Sequence, residues 1–442
     1  MSDLWTDRLD KTSLTPAHKR RLLASQEKFL GEVKPSQSQI EHGLALHYES
    51  FVGDAQGSIP ACTPGAINAQ RLDQELADLD AQLQRQGLDQ AARIKQLNMH
   101  LCRRKPAEAA FDREYHQWRA DLFKLAGVDV AVEDITGPQH NAFEDALRRL
   151  AEVNLAYDQQ DSVRPLRRAA DVDAVDGTAR VIQHMSGVGG FAEAPKPRER
   201  LDLFFGLGVR ASQLTYIQDN RLCSSWLQGE SDQGLTPLGR QIVARMNELG
   251  MAVDIAHCGL RSAFDVLQAS DEPVLLSHTG CSALYDERKS GYVDLVFKQP
   301  YAQGVSRPAC PPGPRNATDD LLRELGRRSG LVCLYNIAEM LAAGEEGWRF
   351  DCFARHIEHA VSVAGVNHVG IGSDRTYFGF QWDPHPCEWT NWPYYTVGLV
   401  CRGFSDDDIL KIIGGNLRRY LRRVMDKQPW TDLFVPCAED QK

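Results

Sequence analysis

A chain of 442 residues is long enough for one large α/β domain with insertions, and 43% hydrophobic residues supply its core. A net charge of -10 argues against a nucleic-acid partner, which requires a basic face. No run reaches the ~20 apolar residues of a membrane helix, "MSDLWTDRLDKTSLTPAHKRRLL" lacks a signal core and "WTDLFVPCAEDQK" lacks a lipid-anchor tail, so a soluble cytoplasmic protein with no membrane partner is expected.

The 11 cysteines are odd in number and spread from Cys62 to Cys437 without a CxxC pair, the pattern of reduced thiols rather than a disulfide framework. Residues 1–45 read as a polar, helical N-terminal extension. Eight apolar runs of strand length then recur between amphipathic segments: 50–54, 128–135, 179–183, 211–216, 251–256, 273–277, 330–335 and 368–372. Continuous apolar runs alternating with helices imply a parallel sheet covered on both faces, and eight such units predict a (β/α)₈ TIM-like barrel spanning 46–425.

The intervening helices are legible. "PLGRQIVARMNELG" puts Ile242, Val243, Met246 and Leu249 on one face and ends at Gly250, and "TDDLLRELGRRSG" opens on Thr318 as an N-cap. Two segments exceed a minimal barrel: a helical insertion at 63–120 and a Pro-rich loop at 285–313 with "SRPACPPGP", and 426–442 form a C-terminal tail.

Three strands are followed by polar residues able to do chemistry. His257 in "VDIAHCG" and His278 in "LLSHTG" close successive runs, so a barrel would bring both imidazoles to its C-terminal mouth, as metal ligands or as catalytic groups. Asp374 in "HVGIGSDRTYFG" follows the last run, where a carboxylate can be a general base, a metal ligand or a helix cap.

From about Leu201 to Arg422 the chain resembles the renal (membrane) dipeptidase family of metallopeptidases, through "LGVRASQLTYIQDNRL", "DQGLTPLGRQIVARMNELGMAVDIAHCG", "PVLLSHTGCSAL", "PRNATDDLLRELGRRSG", "HVGIGSD" and "IIGGNLRRYL" in order. A weaker similarity reaches back to about Leu44. The resemblance implies a (β/α)₈ barrel with two zinc ions, dipeptide cleavage, and commonly a homodimer. It implies that His257 and His278 hold the second zinc and that Asp374 handles the proton of the cleaved amide. Arg315 in "PRN" matches the arginine that grips the substrate carboxylate, with Arg288 in "YDERK" as a rival.

The chain also departs from the pattern. The first-strand His-x-Asp pair falls on Gln56 and Ser58 in "SFVGDAQGSIP", with His100 and Cys102 in "NMHLCRR" as a second placement. The bridging glutamate is missing from "ARVIQHMSGVGG", where Met185 or Ser186 stands nearest and His184 could supplement the donors. Tyr216 replaces a substrate-side histidine, and Asn220 in the same "LTYIQDN" is a further substrate-side candidate.

A pair of ions needs anionic ligands to offset four positive charges. Without them, the expectation is at most one divalent metal, zinc foremost, at His257 and His278. The expected activity is hydrolysis of a dipeptide or small peptide-derived amide. A repurposed, non-hydrolytic and metal-free barrel enzyme tailoring a peptide-derived metabolite, and a non-catalytic ligand-binding protein, stay open.

Overall fold

The computed structural model describes residues 4–59, 78–87, 110–135, 143–174, 176–186, 189–289, 293, 296, 310–344, 346, 349–376, 389–427 and 433. Eight parallel strands form a nearly closed barrel: β1 Gly53–Asp54, β2 Val130–Asp134, β3 Ala179–Met185, β4 Ala211–Gln213, β5 Ala252–Asp254, β6 Leu275–Thr279, β7 Leu331–Leu334 and β8 Val369–Ile371. Each strand from β2 to β8 pairs in parallel with its predecessor in the chain. The ring closes where the Ala55 N–H, just past β1, donates to the Ile371 carbonyl of β8 at 2.9 Å.

Every expected apolar run overlaps a strand, so the (β/α)₈ reading holds. One boundary differs with consequence. The run expected to stop before His278 extends to Thr279, and the ladder with β7 is irregular between Leu276 and Thr279. An irregularity of this kind re-aims the side chains beside it.

Strand alternation sorts the core into two shells. Val130, Val132, Ile182, Ala211, Ala252, Leu275, Leu331 and Cys333 pack together inside the barrel. They meet Leu417, Tyr420, Leu421 and Val424 of the helix Asn416–Met425, which plugs the lower end. Residues of opposite parity, such as Val181, Met185, Val253 and Leu276, pack against the helical layer.

The helices obey local rules. Pro237–Leu249 starts at the Thr236 cap and stops at Gly250 in the left-handed region, and its expected apolar face is buried. Thr318 caps Asp319–Arg327 as read from the sequence.

At the N-terminus α1 (Leu4–Asp10), α2 (Pro16–Val33) and α3 (Gln37–Tyr48) lie against the barrel. α3 packs on the helix Trp392–Cys401 so closely that a Cβ at Gly43 would lie 2.7 Å from the Val397 Cα. Trp5 is buried and donates from its indole to the Thr390 carbonyl at 3.2 Å. The described part of the insertion at 63–120 includes the helix Arg113–Ala126, buried along most of its length. Much of that insertion, much of the Pro-rich loop and most of the tail lie outside the described residues. Among the described residues no helix is long and apolar enough to cross a membrane.

The closure rests on Asp54, which is fully buried at the end of β1. Its Oδ1 accepts the backbone N–H of Gln56 (3.1 Å) and of Ser373 (2.9 Å). Its Oδ2 accepts the Ser373 hydroxyl (2.6 Å) and the indole N–H of Trp389 (3.1 Å) and Trp392 (3.0 Å). Asp54→Ala strands these buried donors, each costing about 1–3 kcal/mol when unsatisfied. Urea unfolding is expected to show a loss of about 3 kcal/mol or more; a loss below about 1 kcal/mol would remove Asp54 from this role.

Candidate active site

The C-terminal strand ends assemble two arms around the barrel mouth. The first is built on β5 and β6. His257 follows β5 with φ 66°, in the left-handed region that a β-carbon disfavours by about 1–2 kcal/mol. His278 sits on the adjacent β6, and the two Nε2 atoms are 3.0 Å apart and hydrogen-bonded. Both imidazoles are buried. Tyr216 stacks on His257, centroids 4.2 Å apart at 29°. Arg315 is buried, donates to the His278 carbonyl at 3.2 Å and lies 5.6 Å from the Tyr335 ring centre.

The second arm spans β8 and β1. Asp374 has φ 53°, and its backbone N–H donates to the Gln56 carbonyl. Ser58 lies in the short strand Gly57–Ser58, which pairs in parallel with Arg375–Thr376. Gly372 joins the arms: a Cβ there would fall 1.8 Å from the Ser277 carbonyl oxygen, so only glycine lets these strand ends approach.

The remaining candidates sort by position. Arg288 is half-exposed and paired with Asp286, whereas Arg315 is buried and bonded to the His278 carbonyl. Asn220 spends its side chain inside its own loop, donating to the Leu214 carbonyl and accepting from the Leu222 and Cys223 N–H groups. Met185, one of the two residues nearest the missing glutamate, is turned outward into the helical layer. Strand parity gives the inward position to Ser186, two residues beyond His184. The alternative pair His100 and Cys102 lies outside the described residues.

Sequence reasoning missed the groups behind the histidines. Asp254 on β5 accepts from His184 Nε2 at 3.1 Å and from the Ser277 hydroxyl, and Ser277 Oγ lies 2.8 Å from His278 Nδ1. Asp134, at the end of β2, places Oδ1 4.0 Å from His184 Nδ1. "VDIAH" and "LLSHT" contain Asp254 and Ser277, but only the barrel register brings them together.

Charge follows from burial. Burial first, then the positive charge of Arg315, holds His257 and His278 well below the ordinary histidine range, so both are neutral at neutral pH. Burial alone would raise Asp254, but the hydrogen bond and charge of His184, with His278 and Ser277, bring it below the usual carboxylate value. Several buried polar atoms around the mouth have no hydrogen-bond partner among the described residues: Gln56 Oε1, His184 Nδ1, both carboxamide atoms of Gln213, His257 Nδ1 and Arg315 Nε. Such groups mark a place for a polar ligand or water.

The family model of membrane dipeptidase, peptidase family M19, matches residues 112–292 and 306–430. The chain belongs to this dipeptidase family. Dipeptidase tcpJ of Claviceps purpurea is 26% identical over 301 residues, which are 67% of this chain and 62% of that protein. Dipeptidase aclJ of Aspergillus oryzae is 29% identical over 268 residues, covering 58% and 57%. The chain spans about two-fifths to three-fifths of the length of the curated relatives it matches. Among solved structures, an amidohydrolase from Pseudomonas aeruginosa superposes with a TM-score of 0.61 at 20% identity, covering 87% of this chain and 99% of that one. A metallopeptidase from Rhodobacter sphaeroides, liganded with a phosphinate mimic of the dipeptide L-Ala-D-Ala, gives 0.53 at 22% identity over 69% and 89%. These likenesses carry the barrel fold.

Family membership implies a divalent metal, typically zinc, and the donor set can be tested against it. The positions the resemblance assigns to the acids hold Gln56, Ser58 and Ser186, all neutral. Among the described residues no three His, Cys, Asp or Glu side chains converge as a metal group. The Nε2 separation of His257 and His278 is near the roughly 3.3 Å edge of a zinc tetrahedron, enough for one side of one ion. The described residues therefore do not fit a paired centre. Zinc loading followed by desalting and elemental analysis is expected to retain no more than one equivalent; two retained equivalents would mean that residues outside the described set complete the pair.

Proposed function

We propose that the chain is a dipeptidase-type hydrolase acting on a dipeptide or a small peptide-derived amide, with at most one divalent ion, zinc foremost, at His257 and His278. The observation that carries this reading is Arg315, a buried guanidinium beside the histidine pair whose Nε has no hydrogen-bond partner among the described residues. A planar cation with a spare donor suits the carboxylate of a peptide C-terminus. The dipeptide mimic bound by the Rhodobacter sphaeroides neighbour supports the same ligand class.

In this reading Arg315 anchors the carboxylate and Tyr216 walls the pocket against His257. Asp374 accepts a proton from the attacking water and returns it to the leaving amine. Gln56 and Ser58, on the facing arm, offer neutral hydrogen-bonding groups to the substrate backbone. The reading includes a cytoplasmic, soluble protein and a homodimer, which light scattering of the purified chain checks.

One observation favours a second reading. Gln56, Ser58 and Ser186 leave the mouth without rim carboxylates at the expected metal positions, and the two imidazoles bond to each other. That suits a barrel that binds or tailors a peptide-derived molecule without hydrolysing it.

A dipeptide panel with D- and L-residues in second place, read by amine release and by calorimetric binding, separates the two. Hydrolysis is expected, and Asp374→Asn should abolish it; binding without turnover in the presence of zinc would favour the second reading. Arg315→Ala is expected to weaken dipeptide binding by about 1.5–3 kcal/mol, roughly 10- to 150-fold. An N-acyl amide lacking the carboxylate should be insensitive to that change, and equal losses for both ligands would remove Arg315 from carboxylate recognition.

A further inference from the structure

Asp254 stands inside the barrel with no solvent exposure. Its Oδ1 accepts the N–H groups of Ala256 (3.0 Å) and Ser277 (3.1 Å). Its Oδ2 accepts from His184 Nε2 (3.1 Å) and from the Ser277 hydroxyl. A serine hydroxyl has one hydrogen. Having donated it to the carboxylate, Ser277 Oγ can only accept from His278 Nδ1, 2.8 Å away.

The proton of His278 therefore sits on Nδ1, and Nε2 keeps the lone pair. His257 Nε2, 3.0 Å from that lone pair, supplies the hydrogen between the rings. His257 Nδ1 is then a buried lone pair without a hydrogen-bond partner among the described residues. His184 turns Nε2 to the same carboxylate, and its Nδ1 lies 4.0 Å from Asp134 Oδ1.

We propose that Asp254 is the positioning residue of the mouth: through Ser277 it fixes the tautomer and ring orientation of His278, and directly it orients the His184 ring. This deepens the proposed function and rests on its reading of the mouth as the active site. Carboxylates behind imidazoles fix tautomer and orientation in this way, because a donating ring nitrogen leaves only the other one with a lone pair. One carboxylate here serves strands β3, β5 and β6 together. His257 and His278 are neutral at neutral pH, so the relay sets their tautomers rather than their charge.

The test needs no substrate, so its outcome is independent of whether dipeptides are turned over. The full chain is labelled with ¹⁵N-histidine, and long-range proton–nitrogen spectra are assigned by single His→Gln variants. The wild type is expected to show His278 as the Nδ1–H form, with His184 carrying a proton on Nε2. Ser277→Ala removes the relay hydroxyl while leaving the backbone bonds to Oδ1. It is expected to move the His278 tautomer ratio by about fivefold toward Nε2–H, with His184 unchanged. Ser277→Thr restores a hydroxyl and should restore the ratio. Asp254→Asn should disturb both rings; if it does not fold, the two serine variants decide alone. A wild-type His278 in the Nε2–H form, or an unmoved ratio in Ser277→Ala, would overturn the proposal while leaving the hydrolase reading standing.

Discussion

A carboxylate sealed from water must be surrounded by donors, and Asp54 at the end of β1 and Asp254 at the end of β5 are two such carboxylates. In an eight-stranded ring those strands face each other. Asp54 gathers donors from the strand that closes the barrel and from the helix that follows it. Asp254 gathers an imidazole, a serine hydroxyl and two backbone groups from the strands beside it. The first carboxylate fixes where β8 ends and so where Asp374 stands. The second fixes how the rings at the ends of β5 and β6 are turned.

The two respond to burial differently. Burial pushes the Asp54 carboxyl up, and hydrogen bonds from Ser373, Trp392 and Gln56 offset this only in part. Burial pushes Asp254 up as well, but His184 and its neighbours reverse the sign. The His184 imidazole beside Asp254, not hydrogen-bond number alone, separates them. At the rim the balance differs again, because Gln56, Ser58 and Ser186 contribute no charge. Burial first, then the positive charge of Arg315, lowers both histidines, and that charge favours an anionic ligand group over a cationic one.

The barrel was legible in the sequence because each strand is a short, nearly unbroken apolar run, and the His pair because a polar residue ended two successive runs. Arg315 is preferred over Arg288 in the sequence because the matching "ATDDLLREL" follows it, and burial separates the two further. Met185 and Ser186 are adjacent in sequence but face opposite ways, so a one-residue ambiguity in strand end becomes a choice between core and site. Asp254 and Ser277 were hidden for another reason. Each reads as a polar interruption of an apolar run, and its meaning depends on pairing between strands 21 to 23 residues apart. His184 is more remote still, joined to Asp254 across 70 residues.

The N-terminal extension belongs to the same chain of constraints. Trp5 meets the Tyr394 ring edge-on at 5.6 Å, Phe29 packs edge-on against Phe350, and Gly43 admits Val397 to backbone distance. These contacts press on the segment that begins with Trp389 and Trp392, whose indoles donate to Asp54. Asp54 in turn holds Ser373, the residue before Asp374. A disturbance of α1–α3 has a short route to the mouth: two helices, two indoles, one carboxylate and one serine. The route is made of packed rings and buried hydrogen bonds, which resist gradual deformation. The extension thus packs on the segment whose indoles donate to Asp54, the carboxylate that also holds Ser373 beside Asp374.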